Sequence, residues 1–287
     1  IRRCIRDIDK YKKENLLGEE AKTRQALFEV YRATNDPRSE EELSESADLF
    51  EKSEKYIDAA KAYSKLGNHE KSSQCYLKAS QNESDTEMRK FYEASSYMEE
   101  TEAYIESKDF LKAQETVSMA KNLLEDIRDK TESTDLKNSC HYRLRECNGR
   151  TLVNEALSIY EEKATLMGKI PDEVNSKLSE AERIFEETPH KCPRIGPDVR
   201  TQLKVHALMC EFYRLFLPIQ FACQAKIVSD SKWSEMKGGP IKIGKKQTTT
   251  TRTEIYPVAK VDNCVRMLKD ASSLLKSIHR FRAARRM

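Results

Sequence analysis

The stretch Ala47 to Ala79, ADLFEKSEKYIDAAKAYSKLGNHEKSSQCYLKA, states one phrase twice. Shifted by the difference between 69 and 56, Tyr56 falls on His69, Ala59 on Ser72, Tyr63 on Tyr76 and Leu66 on Ala79. A ring, a small residue three on and a second ring four beyond that share one face of a helix. The phrase returns in SKDFLKAQETVSMA, where Phe110, Ala113, Val117 and Ala120 take the same places. A small side chain lets a neighbouring helix approach, and a ring fills the space one turn later. Helices this short cannot bury their apolar stripe alone, so the units must stack on one another.

Within that stretch Tyr63, Gly67, His69, Ser72, Tyr76 and Ala79 match the second half of a tetratricopeptide repeat and the turn before it. From about Leu43 to Ile127 the chain resembles the tetratricopeptide family and its looser α-solenoid relatives. The resemblance implies a right-handed array of helical hairpins that holds another protein, or another domain of the same chain, and rarely carries chemistry. In that array Tyr56, Ala59, Tyr63, Gly67, His69, Ser72, Tyr76, Ala79, Phe110 and Ala113 are structural residues of the repeat.

Composition agrees with long solvated helices: charged residues make up 34% of the chain, and Gly and Pro number 8 each. The expected fold class is all-α, an irregular helical-hairpin array. The formal charge of +3 hides an asymmetry. From Lys191 to Met287 there are 20 Lys and Arg against 7 Asp and Glu, so this part carries +13 and the remainder −10. A basic surface of that kind can meet phosphate or an acidic partner. The eight Cys are scattered singly, which points to reduced thiols and an intracellular location, cytoplasm or nucleus. A chain that starts at Ile1 suggests a piece of a longer protein. The apolar stretch LFLPIQFACQAKIV contains a Pro and is too short to span a bilayer, so no membrane partner is expected.

Outward from the repeats, Ile1 to Thr34 reads as one or two helices broken at Gly18. NDPRS (35–39) reads as a turn, with Ser39 ahead of three Glu opening the next helix. QNESD (81–85) and Lys108–Asp109 are further turns. A long helical pattern covers Asp135 to Met167 and ends at Gly168 and Pro171, after which Asp172 caps the next helix. The run TPHKCPRIGPD (188–198) is the strongest punctuation and divides a repeat region, 1–190, from a basic helical subdomain, 191–287. Val199 to Val228 is expected to form the most buried helix pair, kinked or divided at Pro218. The alternating IKI and the Thr run that follow predict a small β-hairpin insertion, or a loop, near 238–257. A last helix is expected from Val258 to about Ala284.

Few residues suggest chemistry. Gly239 to Lys246, GPIKIGKK, has the spacing of a phosphate-binding loop, but Lys246 stands where a hydroxyl should hold magnesium, and a plain turn is the better reading. Cys140, His141 and Cys147, with His190 and Cys192, contain no C-x-x-C, and the first and third stand at core spacing, so a metal is not expected. His206 and Cys210 lie one turn apart, as a nucleophile pair would, without an orienting partner. The runs SEEELSE and MEETEAYIE read as solvated faces. Lys242, Lys245, Lys246, Arg252, Arg280, Arg282, Arg285 and Arg286 gather near the insertion and the chain end, where they could neutralise the phosphates of RNA or DNA.

Two functions are therefore expected. The first is a non-catalytic protein-interaction scaffold within a larger intracellular protein, with no cofactor. The second is an accessory RNA- or DNA-binding region acting through the basic C-terminal third. Irregular repeats of this kind resemble those attached to large superfamily-one helicases.

Overall fold

A computed structural model of the chain describes residues 1–34, 36–164, 171–236 and Lys269, with side-chain surroundings for all of these except 163, 164, 198 and 218–236. Among the described residues there are ten helices and no strand. They are α1 (Arg2–Lys13), α2 (Leu17–Ala33), α3 (Ser39–Lys52), α4 (Tyr56–Lys65), α5 (His69–Asn82), α6 (Thr86–Glu106), α7 (Phe110–Lys130), α8 (Thr134–Ile159), α9 (Asp172–Lys191) and α10 (Pro197–Met236). The end of α8 runs on into a π turn, Tyr160–Ala164. Extensive contacts join each helix to the next in sequence, from α1 on α2 through to α9 on α10. The described residues are all-α, and this order of packing is compatible with a helical repeat array.

One turn recurs. Asn15, Glu54, Gly67 and Lys108 have φ of 53, 60, 70 and 61°. The amide of each bonds to the carbonyl three residues back, and the next amide reaches five back, to Tyr11, Phe50, Tyr63 and Tyr104. These bonds satisfy carbonyls left open at the helix end while the left-handed residue reverses the chain. The following helix starts two residues after the left-handed one, at Leu17, Tyr56, His69 and Phe110. The turn is thus written four times over, as YKKENLL, FEKSEKY, YSKLGNH and YIESKDF.

Small residues mark the crossings. Ser46 of α3 donates to the carbonyl of Ala21 in α2 at 2.8 Å, Ser72 of α5 to Ala60 in α4 at 2.9 Å, and Ser96 of α6 to Ser73 in α5 at 3.1 Å. Each hydroxyl is buried, where a polar group needs such a partner. Between the crossings the apolar cores succeed one another along the chain. Phe28, Leu43, Phe50, Tyr63 and Tyr76 build the first, and Met98, Val117, Leu124, Ile127 and Leu144 the second. Leu157, Val174, Leu178 and Leu217 form a third, and Phe185, Ile195, Leu203 and Cys210 a fourth that spans the turn at 192–196.

Local expectations are corrected in three places. The chain breaks at Asn15 and not at Gly18, which sits in the first turn of α2; Asn tolerates the left-handed region, and one Gly costs a helix only about 1 kcal/mol. As expected, α3 opens at Ser39, which is buried, and the Asp36 carboxylate accepts the Arg38 amide just ahead of it. Pro171, not Asp172, precedes α9, which then continues through Pro189 to Lys191. α10 is one helix through Pro218 and not a pair; a proline there removes one amide donor, while the ladder on either side persists. The insertion at 238–257 and the helix expected from Val258 lie outside the described residues.

Candidate functional site

The repeat residues lie between helices. Ala59, Ser72 and Ala113 are 0% exposed; Tyr63, Gly67, His69, Tyr76 and Ala79 are buried, and Tyr56 and Phe110 are half-buried. Tyr63 does more than fill space. Its hydroxyl donates to Asp48 and Glu51 of the preceding helix, and the Lys71 ammonium stands 4.7 Å from its ring centroid. Burial first, then these two carboxylates, push the Tyr63 phenol well above its ordinary pKa. His69 holds Nδ1 2.7 Å from Glu99, whose other oxygen accepts the Ser64 hydroxyl at 2.8 Å.

The run MEETEAYIE is therefore not a solvated face. Glu99 meets His69, Glu100 accepts from Ser73, and Glu102 pairs with Arg150 of α8 at 2.7 Å. In SEEELSE, Glu42 and Glu45 both pair with the buried Arg24, at 2.7 and 2.6 Å. Sequence reading alone missed these carboxylates because their partners are remote.

A charged knot ties α6, α8 and α10. Glu146 and Arg150 of α8 are 3% and 5% exposed and pair at 2.7 Å. Arg143 reaches Glu146 at 3.2 Å, Arg150 also donates to the Met98 carbonyl at 3.2 Å, and Gln202 of α10 donates to Glu146 at 3.3 Å. His206 brings Nε2 to 3.7 Å from Glu146 and stacks on Phe185, with ring centroids 5.1 Å apart. Burial raises the cost of the Glu146 charge, but Arg150 and Arg143 outweigh it and hold the carboxyl well below its ordinary value. Burial pushes the His206 imidazole down, which keeps it neutral. Such a knot fixes how three helices meet; it offers no open face to a substrate.

The thiols are correspondingly inert. Cys140, Cys147 and Cys210 are fully buried, and burial pushes them up to about 11, 12 and 12. Cys210 shares a helix with His206, whose ring is stacked on Phe185 with Nε2 3.7 Å from Glu146. Among the described residues no group of three His, Cys, Asp or Glu is placed to hold a metal ion, and no helix is long and apolar enough to cross a membrane.

One concave feature gathers charge. A cleft of about 740 Å³ opens between the end of α7, the first half of α8 and the turn after α9. Arg128, Arg145, Lys191 and Arg194 line it alongside Asp135, with Leu144 and Ile195 buried beneath. His141, considered above for zinc, is an exposed part of this wall. The phosphate-loop-like segment 239–246 and the basic residues Lys242, Lys245, Lys246, Arg252, Arg280, Arg282, Arg285 and Arg286 lie outside the described residues. Comparison of the chain with protein-family models, with curated proteins and with solved structures gave no match.

Proposed function

We propose that this chain is an α-solenoid scaffold that holds another protein, or another domain of its own chain, inside the cell without catalysing a reaction. The observation that supports it most is the repetition of one helix–turn–helix device. The same left-handed turn joins α1 to α2, α3 to α4, α4 to α5 and α6 to α7, and serine crossings tie α2 to α3, α4 to α5 and α5 to α6, so successive helix faces are presented side by side. Shape and charge along those faces would select the partner. Leu77 on α5 and Leu111 and Met119 on α7 already present exposed apolar side chains. Replacing each in turn with a photo-crosslinking residue, in cells, tests the reading. The same protein is expected to be captured from both helices; capture of nucleic acid alone, or of nothing, contradicts it.

The charge of +13 from Lys191 onward favours a second reading, an accessory RNA- or DNA-binding region. Titration with single-stranded RNA at two salt concentrations decides it. Affinity that falls steeply with salt supports phosphate contact, and no binding at low salt removes it.

A further inference from the structure

The geometry points to the cleft between α7, α8 and the turn after α9 as a docking site for an acidic, partly apolar segment of a partner protein. This rests on the scaffold reading and names the chemistry of what one of its surfaces holds. Four cations and one carboxylate, Asp135, line the cleft, Arg128 being paired with Asp129 at 2.8 Å, while Leu144 and Ile195 are its buried apolar residues. A segment that pairs carboxylates with an aliphatic side chain satisfies both parts at once. Single-stranded nucleic acid would satisfy only the charge. The rings among the lining residues are Tyr142, over which the Arg143 guanidinium already lies at 5.5 Å, and the exposed His141 imidazole, which leaves bases one small ring to stack on.

The protein supplies its own demonstration that a carboxylate is held at this end. Glu187 of α9 sits 2.6 Å from Lys191, 2.9 Å from Arg183 and 3.4 Å from Arg145. Two of those three cations line the cleft, so Glu187 competes with an incoming carboxylate for them. Arg194 is exposed at the cleft's edge and can be reversed in charge without entering the core. The two positions therefore have opposite expected effects.

The test is fluorescence anisotropy on the whole chain with a labelled twelve-residue peptide of repeated Asp-Leu-Glu. Its Asn-Leu-Gln counterpart, an all-Glu peptide and an oligo-U strand of equal length serve as comparisons. The Asp-Leu-Glu peptide is expected to bind better than all three. Arg194→Glu is expected to weaken it about fivefold or more, and Glu187→Gln to tighten it by about threefold. Because the chain beyond Met236 is basic, acidic peptide bound there would respond to neither substitution. Equal binding of the neutral peptide, preference for oligo-U, indifference to both variants, or no binding overturns the assignment. If it fails while a partner is still captured from α5 and α7, the scaffold reading stands and only this cleft is excluded.

Discussion

The helices before Thr131 and those after it are held together by different means. From α1 to α7 most joints are local: at four of them a left-handed turn residue follows a ring five residues before the next amide, and a serine marks three of the crossings, with one buried cation, Arg24, pairing α2 to α3. From α8 to α10 the helices are braced by buried charges, with Arg150 reaching past α7 to Glu102 and the Met98 carbonyl of α6. A joint of the first kind concerns two neighbours. The charged knot concerns three helices, because Glu146 serves Arg143, Arg150 and Gln202 at once and its loss weakens all of those contacts.

The largest effect is therefore expected at the knot. Glu146→Ala removes the carboxylate that Arg143 and Arg150 share, leaving Arg150 with Glu102 and the Met98 carbonyl, and should cost about 3 kcal/mol in chemical denaturation; a loss below about 1 kcal/mol would mean that the charges are solvated. Acid should act on the same place. The Glu146 carboxyl lies below its ordinary 4.5 and the His206 imidazole below its ordinary 6.5, so the unfolded chain takes up both protons first. Stability is expected to hold above pH 6.5, then to fall as pH drops through 6.5 and again below 4.5. A thermal-melting series across that range, flat in His206→Gln near the upper step, checks the sign.

Gly149 gives the next effect. A Cβ there would stand 2.5 Å from the Phe185 ring, which is itself pressed against His206. Gly149→Ala should cost about 1–3 kcal/mol despite the better helix propensity of Ala. The smallest effects belong to the turns. Glu54→Gly and Lys108→Gly should each stabilise by about 0.5–1 kcal/mol, because Gly adopts positive φ without strain, and Gly67→Ala should destabilise by a similar amount. If all three shifted stability in one direction, the shared turn would not be the device described.

The repeat was legible in Ala47 to Ala79 because small residues and rings fix their spacing within one helix. The turns were half legible. Gly67 announces itself, but Asn15, Glu54 and Lys108 occupy the same conformation with ordinary side chains, and only the ring five residues before the next helix's cap, repeated four times, could have exposed them. The knot was hidden for a different reason. The Glu residues of MEETEAYIE look solvated until Arg150, 48 residues beyond Glu102, is placed against them. The cleft is assembled from three separate segments, so no local pattern marks it.

Native-state hydrogen exchange resolved by helix tests the contrast most directly. The account predicts that the amides of α8 and α9 and the first part of α10 open together as one unit, while α1 to α7 open in steps from the N-terminal end. Uniform opening of all ten helices, or exchange of α8 ahead of α3 to α5, would contradict it.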